Sequence, residues 1–123
     1  MPFYWTIDSK DRLFTAIGDG EVTFADAMSL LEALVGAKTM SYRKLLDGRR
    51  AQSAMAGDEL LALCGQIRGY HEKGPVGALA LVGPAEQIVK FASLLGALAA
   101  ADRPIKVFSG LRKARSWLDL QRR

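Results

Sequence analysis

Cysteine and histidine are almost absent from this chain, which contains one of each in 123 residues. The single cysteine, Cys64, excludes a disulfide within the chain, and its apolar neighbours predict a buried thiol in a reducing, cytoplasmic compartment. The single histidine, His71, excludes a metal site built from several histidines, and its place near a predicted helix end indicates a surface residue. We therefore predict neither a metal nor a cofactor.

Long hydrophobic runs are missing as well. The longest apolar stretch, residues 94–101, is far shorter than the roughly 20 residues that span a bilayer. Near the N-terminus, Asp8 and Asp11 stand where a signal peptide needs basic and then apolar residues. Half of the residues are nevertheless apolar, which is enough for a single core. We expect one domain, residues 1–123, that does not insert into a membrane.

An excess of positive charge is found only at the C-terminus. Residues 111–123 hold five basic side chains against Asp119, whereas the preceding residues balance twelve basic with twelve acidic side chains. The net charge of +4 therefore belongs to a predicted last helix, where cations favour the C-terminal end of the helix dipole. This distribution favours a solvated tail over a phosphate-binding face, so we predict no nucleic-acid partner.

The N-terminal segment has the pattern of a β-hairpin. Residues 3–8 and 13–18 are short β-prone runs joined by four polar residues. Gly18 and Gly20 are expected to end the second strand. Thr23 then predicts the N-cap of a helix over residues 24–36, because its side chain accepts a hydrogen bond that the first helical turn would otherwise lack.

Strands and helices alternate through the rest of the sequence. Strands are predicted at residues 42–47, 76–82 and 105–108, and helices at residues 57–73, 84–102 and from 111 onward. The order ββαβαβαβα requires an α/β fold with a mostly parallel, five-stranded sheet. Residues 76–82 are apolar on both alternating faces, which predicts the middle strand of that sheet.

Chemically capable residues follow the third predicted strand. This strand is expected to end at Asp47 and to release a polar loop that leads to the next helix. Ligands of open α/β sheets bind at the carboxyl ends of strands. The candidate recognition or switch residues are Asp47, Arg49, Arg50, Ser53 and Asp58. No catalytic set accompanies them, so the recognition surface is placed in the loop over residues 47–58.

The whole chain resembles the STAS domain, which is named for sulphate transporters and anti-sigma-factor antagonists. The segments GDGEVTFADAMSLLEAL and KVFSGLRKARSWL are similar to the compact, bacterial SpoIIAA-like branch. The resemblance implies a single βα superhelical domain whose partner is a kinase or a sigma regulator. It also implies a phosphorylated serine in a stretch like DSSGL. The corresponding stretch here is AMAGDEL, with Met55 and Ala56 at the hydroxyl positions, so Ser53 is the displaced candidate.

Three functional hypotheses remain from the sequence. The leading one is a non-enzymatic, cytoplasmic regulatory or protein-interaction domain. The alternative is binding of a small apolar or anionic ligand, as in related lipid-carrying Sec14-like domains, with Met28, Met40 and Met55 as adaptable lining. An enzyme would need Asp47, Ser53, Arg49 or His71 to form an acid–base or nucleophile pair, and their spacing gives no support for one.

Asp47 also has the position of the phosphoacceptor in a receiver domain. That chemistry needs Mg²⁺ held by further acids near the first strand, and a lysine at the end of the last strand. Asp8 instead precedes a hairpin turn, and Lys106 lies inside the final predicted strand. The pattern therefore does not favour a receiver domain.

Aromatic residues mark the first strand. Tyr4 and Trp5 lie on a strand that is expected at an edge of the sheet. Such an edge is covered by core packing, by the C-terminal helix that bears Trp117, or by a second copy of the chain. Core packing is the favoured prediction, and a homodimer is the next.

Overall fold

The computed structural model describes residues 3–74, 76–84 and 105–121, in which strands and helices alternate after an N-terminal hairpin. The strands are β1 (Phe3–Asp8), β2 (Leu13–Val22), β3 (Arg43–Ser53), β4 (Leu79–Val82) and β5 (Ile105–Phe108). The helices are α1 (Phe24–Gly36), α2 (Gly57–Lys73) and α3 (Leu111–Leu120). The helix predicted over residues 84–102 lies almost wholly outside the described residues.

The five strands form one mixed sheet in the order β1-β2-β3-β4-β5. β1 and β2 are antiparallel, and the other neighbouring pairs are parallel. The predicted fold class is confirmed. The middle strand is β3 rather than β4, because the sheet follows the chain order and the hairpin occupies one edge. β4 is still an interior strand, and all four of its residues are buried.

β2 and β3 extend beyond their predicted ends. β2 passes through Gly18 and Gly20 to Val22, and it pairs with β3 as far as Ser53. One extra residue of β3 is accommodated where the register shifts after Asp47. Gly18 marks a close approach, since a Cβ atom there would lie 3.0 Å from the Cβ atom of Ala51. Gly18 therefore lies opposite a bulge of β3 and does not end β2.

The predicted loop over residues 47–58 is therefore wrong. Strand pairing continues to the end of β3, and α2 begins at Gly57, so only residues 54–56 connect the two elements. The backbone N–H of Ala54 still donates to the carbonyl oxygen of Val22 at 2.9 Å. The residues that follow Asp47 are consequently held in extended backbone.

Each face of the sheet has its own core. Alternate residues of a strand point to opposite faces, so Leu79 and Leu81 of β4 pack under α1 and α2, whereas Ala80 packs under α3. The α3 core contains the following buried residues: Leu45, Ala78, Ala80, Val82, Ala114 and Leu118. β3 is therefore covered by helices on both faces and paired with strands on both sides.

The aromatic residues of β1 have separate environments. Trp5 packs against the core under α1 and α2, as predicted, whereas Tyr4 is 62% exposed. Trp117 lies on the other face, with its ring 5.8 Å from that of Phe108. α3 therefore packs with the opposite end of the sheet from Tyr4. The homodimer stays a prediction.

The N-cap predicted for α1 is present. Thr23 Oγ1 accepts a hydrogen bond from the backbone N–H of Asp26 at 3.2 Å, and Asp26 Oδ2 accepts one from the backbone N–H of Thr23 at 2.9 Å. This reciprocal pair satisfies two backbone donors at the start of the helix. It fixes the direction in which the chain leaves β2.

Arg43 joins the C-terminal end of α3 to the hairpin. Its side chain is only 7% exposed. Nη1 donates to the carbonyl oxygen of Leu118 at 3.0 Å, and Nη2 donates to the carbonyl oxygen of Asp11 at 2.7 Å. The carboxylates of Asp11 and Asp119 lie 3.2 and 3.9 Å from the guanidinium. The buried cation is thus hydrogen-bonded and charge-compensated, which burial requires.

α3 carries its own charges in the opposite order to its dipole. Arg112 and Lys113 lie in the first turn, which has no acidic residue, and Asp119 lies in the last turn, which has no basic residue. The N-terminal end of a helix is positive, so cations are unfavourable there. The prediction that these cations match the dipole is wrong, because α3 begins at Leu111, directly before them.

We predict that Gly77→Ala severely destabilises the protein. The added Cβ atom would collide with the backbone carbonyl oxygen of Tyr42, so the chain must shift where it enters β4. The free energy of unfolding should fall by at least about 2 kcal/mol in urea denaturation. Gly65→Ala in α2 is the control, because its Cβ atom meets nothing within 4 Å. Helix propensity should make this variant about 0.5–1 kcal/mol more stable. Equal stabilities of the two variants would contradict the prediction.

Candidate functional site

Asp47 lies within β3, at the level where β4 ends. Its neighbours in register are Ile17 of β2 and Val82, the last residue of β4. The residue is 5% exposed. Because it shares the face of Leu45, its side chain lies on the α3 side of the sheet. Parallel pairing therefore places a buried carboxylate level with the carboxyl end of β4, although β3 itself, at whose end the sequence predicted the site, continues to Ser53.

Arg49 holds this carboxylate through three hydrogen bonds. The backbone N–H and Nε of Arg49 donate to Asp47 Oδ1 at 3.1 and 3.0 Å, and Nη2 donates to Oδ2 at 2.9 Å. The pair fits locally because residues i and i+2 of a strand point to one side. The Arg49 side chain is 46% exposed, so part of the guanidinium stays in contact with solvent.

The two cations near Asp47 decide its protonation. Burial alone raises the pKa of Asp47, but the hydrogen bonds from Arg49 and the positive charges of Arg49 and Arg115 outweigh burial. The pKa therefore lies below its ordinary value of 3.8. Asp47 is ionised at neutral pH and does not act as a general acid there. Arg115 was missed at this site because the sequence placed it in a solvated tail.

Arg50 pairs with a different acid from Arg49. Its Nη2 lies 3.2 Å from Asp19 Oδ2, and the two side chains are 75% and 45% exposed. Residue 19 is in register with residue 50, so the contact is a cross-strand pair between β2 and β3. The structure therefore divides the two adjacent arginines between two carboxylates. Asp19 was missed because residues 18–20 were interpreted as a turn.

Ser53 and Asp58 lie farther along the chain. Ser53 is the last residue of β3, in register with Val22, and Asp58 is an exposed residue in the first turn of α2. Glu59 Oε1 accepts a hydrogen bond from the backbone N–H of Ala56 at 2.9 Å. Ala56 offers no side-chain acceptor in return, so half of a capping box is present. Among the predicted residues whose side chains are described, Asp47, Arg49, Arg50 and Asp58, hydrogen bonds join Asp47 and Arg49.

The acids and the lysine of a receiver domain do not join Asp47. Asp8 Oδ1 accepts a hydrogen bond from the backbone N–H of Asp11 at 3.0 Å, at the hairpin turn. Lys106 Nζ lies 5.7 Å from the centre of the Phe108 ring. In the described part of the chain, no three histidine, cysteine or acidic side chains come together as metal ligands. None of the described helices is long and apolar enough to cross a membrane.

The soft apolar residues belong to the core under α1 and α2. Cys64 is fully buried, as predicted, and burial raises the pKa of its thiol. Met28, Met40 and Met55 all pack against this same core. Their convergence on one cluster is the arrangement that the ligand hypothesis needs, although it equally describes ordinary core packing.

We predict that Asp47→Asn lowers the free energy of unfolding by about 1–3 kcal/mol at neutral pH, because Arg49 loses a charged acceptor. The folded-state pKa of Asp47 is depressed, so its contribution is complete above the ordinary value and lost as pH falls through the folded value. The stabilities of variant and parent should therefore converge below about pH 4.

Asp19→Asn is the control for this experiment. It removes a carboxylate from an exposed pair, which contributes less than about 1 kcal/mol. Urea denaturation across the pH range compares both variants with the parent. A deficit of Asp47→Asn that persists unchanged at acidic pH would assign the effect to packing rather than to charge.

Comparison with solved structures identifies the fold. The crystal structure of an uncharacterised protein of the DUF3478 family from Shewanella loihica PV-4, which has a SpoIIAA-like fold, matches this chain with a TM-score of 0.62. The two sequences are 18% identical, and the match covers 94% of this chain and 91% of that chain. No protein-family model matches the sequence, and no curated protein is significantly similar to it. The chain therefore has a SpoIIAA-like fold, as its resemblance predicted.

Proposed function

We propose that this chain is a non-enzymatic, cytoplasmic regulatory or protein-interaction domain whose partner is a kinase or a sigma regulator. Its recognition surface is the β3–α2 surface, which we define as Arg50, Asp58 and Leu61, whereas Arg49 lies with Asp47 on the α3 side of the sheet. The observation that carries the proposal is Leu61, a large apolar side chain that is 52% exposed on α2. Asp58 lies one helical turn before it, on the same side of the helix.

The outward side of α2 is suited to close contact with another protein. Ala62 and Gly65 are exposed beside Leu61, so short side chains surround the apolar one. Interfaces combine an apolar centre with a charged rim. Arg50 and Asp58 supply charges of both signs at the end of β3 and at the start of α2.

A phosphorylation switch at Ser53 is part of the same proposal. A phosphoryl group there would add nearly two negative charges at the end of a strand that carries Arg49 and Arg50. Incubation of the full chain with lysate of the source organism and ATP, followed by phosphopeptide mapping, tests this assignment. Phosphate found only at other residues would remove Ser53 from the proposal while leaving the β3–α2 surface intact.

Affinity purification from the source organism tests the β3–α2 surface. We expect one regulatory protein to co-purify with the tagged parent and to be lost with the double variant Arg50→Glu/Leu61→Glu. Ile7→Glu/Lys10→Glu is the matched control, because it also replaces an exposed apolar residue and an exposed cation, at the hairpin instead. Equal retention of the partner by both variants would refute the assigned surface. Turnover of a small molecule without any partner would refute the interaction function.

The ligand alternative is supported by the three methionines on one core. It proposes that a small apolar or anionic molecule is held between the sheet and the helices. Native mass spectrometry of the gently purified protein separates the two functions. A discrete adduct that is reduced by Met28→Ala would favour ligand binding, whereas apo mass alone would favour the interaction domain.

A further inference from the structure

Exposed cations lie on both sides of α3. Arg112, Lys113 and Arg115 are exposed on the helix, and Lys106 is exposed on the neighbouring strand β5. The ion pairs in the described part of the chain involve Arg43, Arg49 and Arg50 instead. The cationic surface, defined as these four residues, therefore concentrates positive charge at the N-terminal half of α3.

Helical spacing divides this surface into two sides. Arg112 and Arg115 are one helical turn apart and share one side of α3. On the other side, Lys106 stacks over Phe108 with 5.7 Å to the ring centre, and Phe108 contacts Trp117. Lys113 is one helical turn before Trp117 and shares its side of the helix.

The helix itself adds to the positive potential. Gly110 at the N-cap provides no side-chain hydrogen bond, and the first turn of α3 contains no acid. Cations therefore lie at the positive, N-terminal end of the helix dipole, where carboxylates would stabilise the helix. α1 has the opposite arrangement, with Asp26 in its first turn and bonded to Thr23. The charge order of α3 is therefore unfavourable for the helix alone and favourable for contact with an anionic group.

Apolar side chains continue the same surface toward the C-terminal end of α3. Trp117 is partly buried, and Leu120, one turn later, is 78% exposed. Tryptophan and arginine are the residues that interfaces between proteins favour. The surface thus changes from cationic to apolar within the length of one short helix.

We propose that the cationic surface, together with Trp117 and Leu120, docks an acidic amphipathic segment of a partner protein. The carboxylates of this segment pair with the cations at the N-terminal half of α3, and its apolar side chains cover Leu120 and the edge of Trp117. Charge complementarity identifies the sign of the partner. The exposed leucine favours a peptide over a nucleic acid, because interfaces with nucleic acids are more polar and more positively charged than interfaces between proteins.

This docking surface is separate from the β3–α2 surface. α2 and α3 pack on opposite faces of the sheet, as the two cores show. The two assignments therefore do not depend on each other. Loss of binding at α3 leaves the interaction through Leu61 intact, and the reverse also holds.

Fluorescence anisotropy with a short synthetic peptide tests the proposal. The labelled peptide carries glutamates and leucines at helical spacing, and the comparison peptide has the same composition in scrambled order. For the full chain, we expect Arg112→Glu/Arg115→Glu to weaken binding by at least about tenfold. Lys10→Glu/Arg68→Glu is the matched control, because it changes the net charge equally at exposed residues elsewhere, and its effect should be below about twofold. Circular dichroism confirms that each variant is folded.

Leu120→Ser tests the apolar half of the surface. Its effect on affinity should persist at high salt, where the charge contacts are screened. Equal losses in both charge variants would overturn the proposal, because net charge alone would then explain binding. Equal binding of the scrambled peptide, or absence of peptide binding, would also overturn it. Tighter binding of single-stranded DNA or of phosphatidylserine vesicles, lost in the Arg112→Glu/Arg115→Glu variant, would reassign the surface to a nucleic acid or a membrane.

Discussion

The buried guanidinium of Arg43 is the interaction on which the arrangement of the α3 face depends. It is the first residue of β3, and it binds both the hairpin turn and the last turn of α3. Because α3 has cations at its start and Asp119 at its end, its dipole is opposed by its own side chains. Arg43 supplies a cation at the C-terminal end of α3, where the dipole is negative. Ala114 and Leu118 can then close over Leu45 and Ala80, which completes the second core.

The continuation of β3 past Asp47 has a direct consequence for the site. A carboxylate at a strand end would contact solvent, whereas Asp47 lies within the sheet and near α3. Its charge must therefore be compensated locally, and the backbone N–H and the side chain of Arg49, two residues along the strand and beside the register shift, supply the hydrogen bonds. Asp47 consequently acts as the fixed acceptor that orients a half-exposed arginine. Asp47 thus has a structural role, and Arg49 keeps part of its guanidinium in contact with solvent.

Local sequence patterns predicted most of the fold. Hydrophobic alternation located all five strands and the three described helices, and Thr23 marked the N-cap of α1, because these features depend on neighbouring residues. Gly18 and Gly20 led to the wrong end for β2, because a glycine can either end a strand or allow another strand to approach closely. Here Ala51 of β3 approaches Gly18. Arg49 was among the candidates, but Asp19 beside Arg50 and the charge of Arg115 that acts on Asp47 were missed for the same reason. Asp19 and Arg115 reach them only through strand register and through the packing of α3, which no short window of sequence contains.

The position of β3 also explains how helices on the two faces of one sheet each keep an outward side. With β3 covered on both faces, α2 turns Leu61 outward on one side of the sheet and α3 turns Leu120 outward on the other. A helix that packs through one face retains an outward face, and the composition of that face is not constrained by the core. α2 has short and apolar residues there, whereas α3 has cations followed by a leucine. Two partners of different chemistry are thus compatible with one sheet, and neither needs to displace the other.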